Sequence, residues 1–285
     1  MAKVVNPAEF VNKSLDEKIL CSKEILNQAI EKFGIEKTLL AWTGGKDSTL
    51  ILWILMELCE ENEIKKLHQG REIKIPDCLF INEGNVFPEI QNFVSEIEAT
   101  KNLELFDVIN KDVFDLACGI VGNTIHIQDL NKRNRMELEK INFQKREFRF
   151  DPESFEGNHL MKTVALNMFL EDNDYECMIT GIRWDEQDAR KDETAFSPRK
   201  DPDHTRIHPI LHFDERDVWE AHFKMKVPYC NLYEKGYRSL GAAGTTTRTS
   251  DLPAWKQDLE STIERSGRKQ DKENLMKKLR DLGYM

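Results

Sequence analysis

The stretch KTLLAWTGGKDST, residues 37–49, decides the fold class. Its first half, through Trp42, is an apolar run of strand length. Residues 49–58 (TLILWILMEL) are apolar at nearly every position, as a largely buried helix requires. Between strand and helix lies Thr43-Gly-Gly-Lys-Asp-Ser48. Gly44 and Gly45 let the backbone approach an anion closely, the helix N-terminus points its N–H groups at that anion, and Ser48 and Thr49 add hydroxyl donors. The string is not a Walker A loop, because Leu40 stands where that motif has glycine and Asp47 follows the lysine. Taken more blandly, it is a Gly-Gly turn entering a helix with an incidental lysine.

Outward from this unit the rhythm repeats. Residues 78–82 (CLFIN) read as a second strand, Pro88 opens a helix through Ile97, and residues 104–109 read as a third strand. Residues 161–170 (MKTVALNMFL) read as a helix and residues 176–180 (ECMIT) as another buried strand. Alternation of this kind predicts a doubly wound, mainly parallel α/β sheet covered on both faces. Residues 131–149, dense in both charge signs, interrupt it as a solvated helix or a basic segment over an anionic ligand. Residues 206–213 look strand-like, Asp214 caps a helix that Pro228 stops, and Trp53, Trp219 and Phe223 read as core. The expected division is a helical extension over 1–37, an α/β domain over 38–235 and an irregular polar tail over 236–285.

Composition narrows the class. With 40% hydrophobic and 32% charged residues the chain can build a packed core. A net charge of −10 (51 acidic against 41 basic side chains) argues against a protein that coats nucleic acid. With neither a signal-like start nor a run of about 20 apolar residues, a cytoplasmic protein off the membrane is expected. The six cysteines are scattered without a CxxC pair, which suggests neither zinc nor an iron–sulfur cluster. His204, His208 and His212 recur every four residues, but Pro209 favours a strand, where such side chains stand about 13 Å apart and share no metal.

The loop resembles the SGGKDS pyrophosphate loop of the N-type ATP pyrophosphatases, with Thr43 in place of the first serine. Further blocks are Met161-Lys-Thr-Val-Ala-Leu166, Gly181-Ile-Arg-Trp-Asp-Glu186 with Arg190, Phe196-Ser-Pro-Arg199, and Arg206-Ile-His-Pro-Ile210. In order and spacing they are similar to the small subunit of bacterial sulfate adenylyltransferase and to phosphoadenosine phosphosulfate (PAPS) reductase. The block Gly236-Tyr-Arg-Ser-Leu-Gly241 with Thr245-Thr246 is similar to both, whereas Glu264-Arg-Ser-Gly-Arg268, Gln270-Asp271 and the closing Leu282-Gly-Tyr-Met285 resemble the adenylyltransferase tail. The last cysteine is Cys230, with no Glu-Cys-Gly-His-type motif after it, so reduction through an S-sulfo cysteine is not expected.

The resemblance implies an adenine nucleotide alpha hydrolase fold that binds ATP and Mg²⁺. Sulfate would be its oxyanion substrate, and relatives of this type pair with a GTPase subunit; a homodimer is the other arrangement considered. Physically, Lys46, Arg183 and Arg199 suit charge stabilisation around the α-phosphorus, arginine because it clamps anions with two N–H groups. Thr43, Gly44, Gly45, Asp47, Ser48, Thr49 and Gly181 would line the nucleotide, with Asn82 and Glu83 toward ribose or purine and Lys162 and Thr163 toward phosphate. Asp47 is placed either on Mg²⁺ through water or as a helix cap. Arg190, His208, Arg238 and Ser239 would face the oxyanion. The expected activity is ATP-dependent adenylyl transfer, most simply to sulfate. Alternatives are a PAPS-reductase-like enzyme without the usual cysteine, in which Cys230 or Cys177 would matter, an ATP pyrophosphatase that activates a carbonyl for sulfur insertion, and a nucleotide-binding module without turnover.

Overall fold

A computed structural model describes residues 5–60, 75–187 and 190–267. Its sheet contains β1 (Thr38–Ala41), β2 (Asp77–Ile81), β3 (Leu105–Val108), β6 (Cys177–Ile179), β7 (Phe196–Arg199) and β8 (His204–Ile207). The order is β3-β2-β1-β6-β8-β7, parallel throughout except for the edge strand β7, which runs against β8. The doubly wound, mainly parallel α/β fold is thus present.

Alternation along the strands feeds two layers. Leu40, Cys78, Cys177, Ile179 and Ile207 face the larger core, with helices α1 (Leu15–Phe33), α2 (Lys46–Glu60), α3 (Pro88–Lys101) and α8 (Glu215–Lys224). Leu39, Leu79 and Met178 face the other side, against Leu166 and Leu170 of α7 (Ala165–Asp172). Helix α1 begins with a reciprocal cap between Ser14 and Glu17 and sends Ile25, Leu26 and Ala29 into the core that α2 also fills.

Between β3 and α7 the chain builds a satellite. It holds α4 (Lys111–Leu116), the antiparallel pair β4 (Thr124–His126) and β5 (Glu147–Arg149), α5 (Lys132–Lys140) and α6 (Phe155–Asn158). Val113, Ile125, Leu138, Phe148 and Phe150 form its own core with Leu160, Met161 and Val164. The charge-rich residues 131–149 therefore supply a helix and an edge strand. On α5, Glu137 is buried between Arg133 and Lys140, and its carboxyl is brought down to about 2 because His159 and Lys140 outweigh the opposing effect of burial.

Three expectations need correction. The strand placed at 206–213 is the shorter β8, because Pro209 begins a turn, so His212 stands beyond the sheet. The helix placed at 161–170 begins as a π-helix over His159–Val164, which carries Lys162 and Thr163. Phe223 is 48% exposed and stacks on buried Trp219 rather than filling the core. Among the described residues, no helix is long and apolar enough to cross a membrane.

Candidate functional site

In the order β3-β2-β1-β6-β8, the parallel strands β1 and β6 lie where the winding switches from one side of β1 to the other, and the crevice outside the carboxyl ends of those strands is where open α/β sheets bind ligands. The Thr43 loop leaves β1 there, and Gly181 follows β6. The two are in close contact: a Cβ on Gly181 would meet Ser48 N at 3.0 Å and Asp47 C at 3.1 Å. Gly44 has φ +70°, and its Cβ would lie 2.9 Å from Val94 of α3, so the loop needs glycine there for conformation and for space. The loop's hydroxyls brace it from inside. Ser48 Oγ accepts from Thr43 N at 3.2 Å, and Thr49 Oγ1 accepts from Trp42 Nε1 at 3.1 Å. The first helical N–H, that of Lys46, donates to the buried Tyr233 hydroxyl at 2.9 Å.

Around this loop ten charged side chains interlock: Lys46, Arg183, Arg190, Arg238 and Arg265 with Asp47, Asp185, Glu186, Glu215 and Glu264. Lys46 is 1% exposed, and its Nζ lies 2.5 Å from Glu264 Oε1, 3.5 Å from Asp47 Oδ2 and 3.9 Å from Glu215 Oε1. Arg183, fully buried, donates to Asp47, to Asp185 at 2.9 Å and to the second oxygen of Glu264. Burial works against both cations, and the carboxylates outweigh it, holding each well above its ordinary range. Glu264 is the mirror case: burial raises it, but Arg183 and Lys46 pull it down to about 2. Glu215 and Asp185 are shifted upward from their ordinary values, burial being the first cause and Glu264 a further one.

The structure thus brings Thr43, Gly44, Gly45, Lys46, Asp47, Ser48, Thr49, Gly181 and Arg183 together. Arg190 joins them indirectly, paired with Glu186, which also accepts from Arg265 at 2.7 Å. Arg238 is committed within the protein. It donates to Glu215 at 2.8 Å and to the Asp258 and Leu259 carbonyls at 3.1 and 3.0 Å, which ties the tail to α8; Ser239 beside it is buried. At the end of β2, Lys162 pairs with Glu83 at 2.9 Å, while Asn82 turns back onto Gly84 N at 2.9 Å.

Arg199 and His208 belong to a different group. Arg199 pairs in the sheet with His204, at the amino end of β8 and so opposite the loop, and its guanidinium donates to both oxygens of Glu193 at 3.0 Å. His208 Nδ1 lies 2.6 Å from Thr180 Oγ1, and burial depresses the imidazole to about 4.

Pattern reading passed over Glu215, Glu264, Arg265 and Tyr233. The signal for two of them lay in the Glu264-Arg-Ser-Gly-Arg268 block; Arg268, Gln270, Asp271 and residues 282–285 lie outside the described residues. Asp47, expected on Mg²⁺ through water or as a helix cap, lies in the first turn of α2 with its two oxygens facing Arg183 and Lys46. Among the described residues there is also no cluster of three His, Cys, Asp or Glu side chains able to hold a metal. Cys230 and Cys177 are buried and their thiols pushed up by burial, Cys177 to about 12, which removes the thiolate a cysteine-dependent reaction needs.

Residues 121–248 match the phosphoadenosine phosphosulfate reductase domain. Curated relatives extend over more of the chain. A probable FAD synthase of Schizosaccharomyces pombe is 23% identical over 89% of this chain and 80% of its own length. A probable FAD synthase of Caenorhabditis elegans is 25% identical over 92% of this chain, which spans only 42% of that longer protein. Among solved structures, yeast FAD synthetase in complex with FAD superposes with a TM-score of 0.62 at 15% identity, covering 92% of this chain and 95% of that one. Candida glabrata FMN adenylyltransferase in complex with FMN and an ATP analogue gives 0.59 at 18% identity, covering 91% and 78%. A Candida auris PAPS reductase gives 0.52 at 17% identity, covering 83% and 97%. These likenesses establish the shared fold. They support the nucleotidyltransferase side of the resemblance, and they lend no support to sulfate adenylyltransferase, to a small oxyanion substrate or to a GTPase partner.

Proposed function

We propose that this protein is an ATP-dependent adenylyltransferase whose acceptor is FMN, producing FAD and pyrophosphate. The observation that carries the reading is the convergence of two buried cations, Lys46 and Arg183, on one anionic group beside the Thr43 loop. That arrangement suits a polyphosphate, and the likeness to FAD synthases and FMN adenylyltransferases supports FMN as the acceptor.

The chemistry needs little beyond placement and charge. An FMN phosphate oxygen, ionised at neutral pH, attacks the α-phosphorus of ATP in line; the new P–O bond forms as the bond to the β-phosphate oxygen breaks, and pyrophosphate carries the charge away. Lys46 and the helix N-terminus hold the leaving pyrophosphate, while Arg183 stabilises charge on the α-phosphoryl oxygens. No step runs through a metal held by these side chains.

The change of acceptor from sulfate to FMN keeps the same clamp, because a phosphate monoester presents a tetrahedral oxyanion just as sulfate does. It also removes the thermodynamic reason for a GTPase. One phosphoanhydride bond is broken in ATP and one is made in FAD, so the transfer has no mixed sulfuric anhydride to force uphill. The test is pyrophosphate release from ATP with magnesium and, in turn, no acceptor, FMN, sulfate and molybdate. FMN-dependent release supports the reading; release that responds to sulfate or molybdate and not to FMN refutes it.

A further inference from the structure

The group that Lys46 and Arg183 grip is part of the protein itself. One Glu264 oxygen takes the Lys46 ammonium at 2.5 Å and the other takes an Arg183 N–H, with the Glu264 side chain 8% exposed. A carboxylate offers a cation pair the same two acceptor oxygens as the edge of a phosphoryl group. With Glu264 in place Lys46 is 1% exposed and Arg183 fully buried, so no external anion reaches either. A polyphosphate set beside Glu264 would add like charge to a region where Asp47, Asp185 and Glu215 already stand, at low local dielectric.

The segment that carries Glu264 is held to the body mainly by polar contacts. Upstream, Arg238 holds the Asp258 and Leu259 carbonyls and so ties the preceding turn to Glu215 on α8. Downstream, the 3-10 turn Glu264–Gly267 is fixed mainly by polar contacts. Thr247 N donates to the Gly267 carbonyl at 2.8 Å, and Arg265 reaches Glu186 at 2.7 Å. Ile263, just before Glu264, is 74% exposed and buries little apolar surface. Short segments with few apolar contacts open at low free energy.

Resting on the reading of the loop as a phosphate site, we propose that Glu264 is a resident counter-anion which keeps the phosphate clamp closed in the nucleotide-free protein. ATP enters by displacing it, so that opening of the 260–267 segment is a step of nucleotide binding. Exchange of one anion for another keeps Lys46 and Arg183 neutralised throughout, and departure of pyrophosphate lets Glu264 return.

The test is calorimetric binding of ATP, and separately of inorganic pyrophosphate, to wild type and to Glu264→Gln, with thermal unfolding of both. Removing the competitor raises the fraction of molecules whose clamp is open, so the variant should bind either ligand about tenfold more tightly. Without ligand it should melt at a lower temperature, because two buried cations have lost a partner. Gly267→Ala provides an independent opening of the latch: its Cβ would stand 2.4 Å from the Thr247 carbonyl oxygen, which forces the segment to shift while Glu264 is retained. It too should tighten ligand binding, and it decides the matter if Glu264→Gln does not fold. Equal or weaker binding by a folded variant overturns the proposal and makes Glu264 a fixed brace. Failure of wild type to bind either ligand instead refutes the phosphate-site reading, and the proposal falls with it.

Discussion

Gly181→Ala is the sharpest probe of how the two halves of the site are joined. The added methyl would stand 3.0 Å from Ser48 N, 3.1 Å from Asp47 C and 3.2 Å from Asp47 Cβ, where ordinary contact begins at 3.4 Å. Two of the three neighbours are backbone, so no side chain can swing aside, and the end of β6 must part from the start of α2 by a few tenths of an ångström. Overpacking of this kind costs about 1–3 kcal/mol, or a Tm lower by roughly 2–12 °C for a domain of this size. The same shift separates Arg183, two residues beyond Gly181, from Lys46, and a displacement well under 1 Å should lower kcat/KM on the order of tenfold. Thermal unfolding and pyrophosphate release at varied ATP measure both effects. Gly244→Ala is the control, since its Cβ would meet only the mobile end of Asn85, and its Tm should stay within about 2 °C of wild type. If Gly181→Ala matched wild type within twofold in kcat/KM, with an unchanged Tm, the close packing of β6 on the loop would be refuted.

Other outcomes follow from the same geometry. Lys46→Met removes the cation shared by Asp47, Glu215 and Glu264; kcat/KM should fall about 10²–10³-fold and stability by about 3–5 kcal/mol, read by kinetics and denaturant unfolding. Arg199→Gln should lower stability yet keep kcat/KM within about threefold, because its guanidinium is spent on Glu193. A hundredfold loss in a folded variant would place Arg199 on the substrate. His204, His208 and His212 are each depressed to about 4 by burial. The unfolded chain then binds protons first, so stability should fall as pH drops from about 6.5 toward 4. Glu264 and Glu137, each brought down to about 2, add stability above the ordinary glutamate range that is lost as pH falls from there toward 2. Denaturant unfolding across pH and imidazole titration by NMR check these signs; an imidazole titrating at 6.5 would contradict its burial.

What could be read from the sequence was local. The β1–loop–α2 unit was legible because two glycines separate an apolar strand from an apolar helix, and the parallel sheet followed from its repetition. Arg183 stood out because it follows a buried strand end. The edge strand β7 was invisible as a strand, since Pro198 and its polar neighbours carry no alternation. Tyr233 and Glu264 were missed for another reason. They meet Lys46 across 187 and 218 residues of chain, and no periodicity encodes a contact that only the folded sheet creates. Arg238 was expected on the oxyanion because it lies in the Gly236–Gly241 block of the resemblance; in the fold it is buried and holds the tail. The acceptor was illegible because sulfate and a phosphate monoester ask for the same clamp.

In the proposed reaction the α-phosphoryl group of ATP passes, with its adenosine, to FMN. The most direct measurement follows ATP labelled at its α-phosphate in the presence of FMN, with the products separated by chromatography. Transfer to FMN predicts label in FAD, formed in step with unlabelled pyrophosphate and slowed about 10²–10³-fold in Lys46→Met. Label that leaves as AMP alone, or as a sulfate adduct when sulfate is present, with none in FAD, would contradict it.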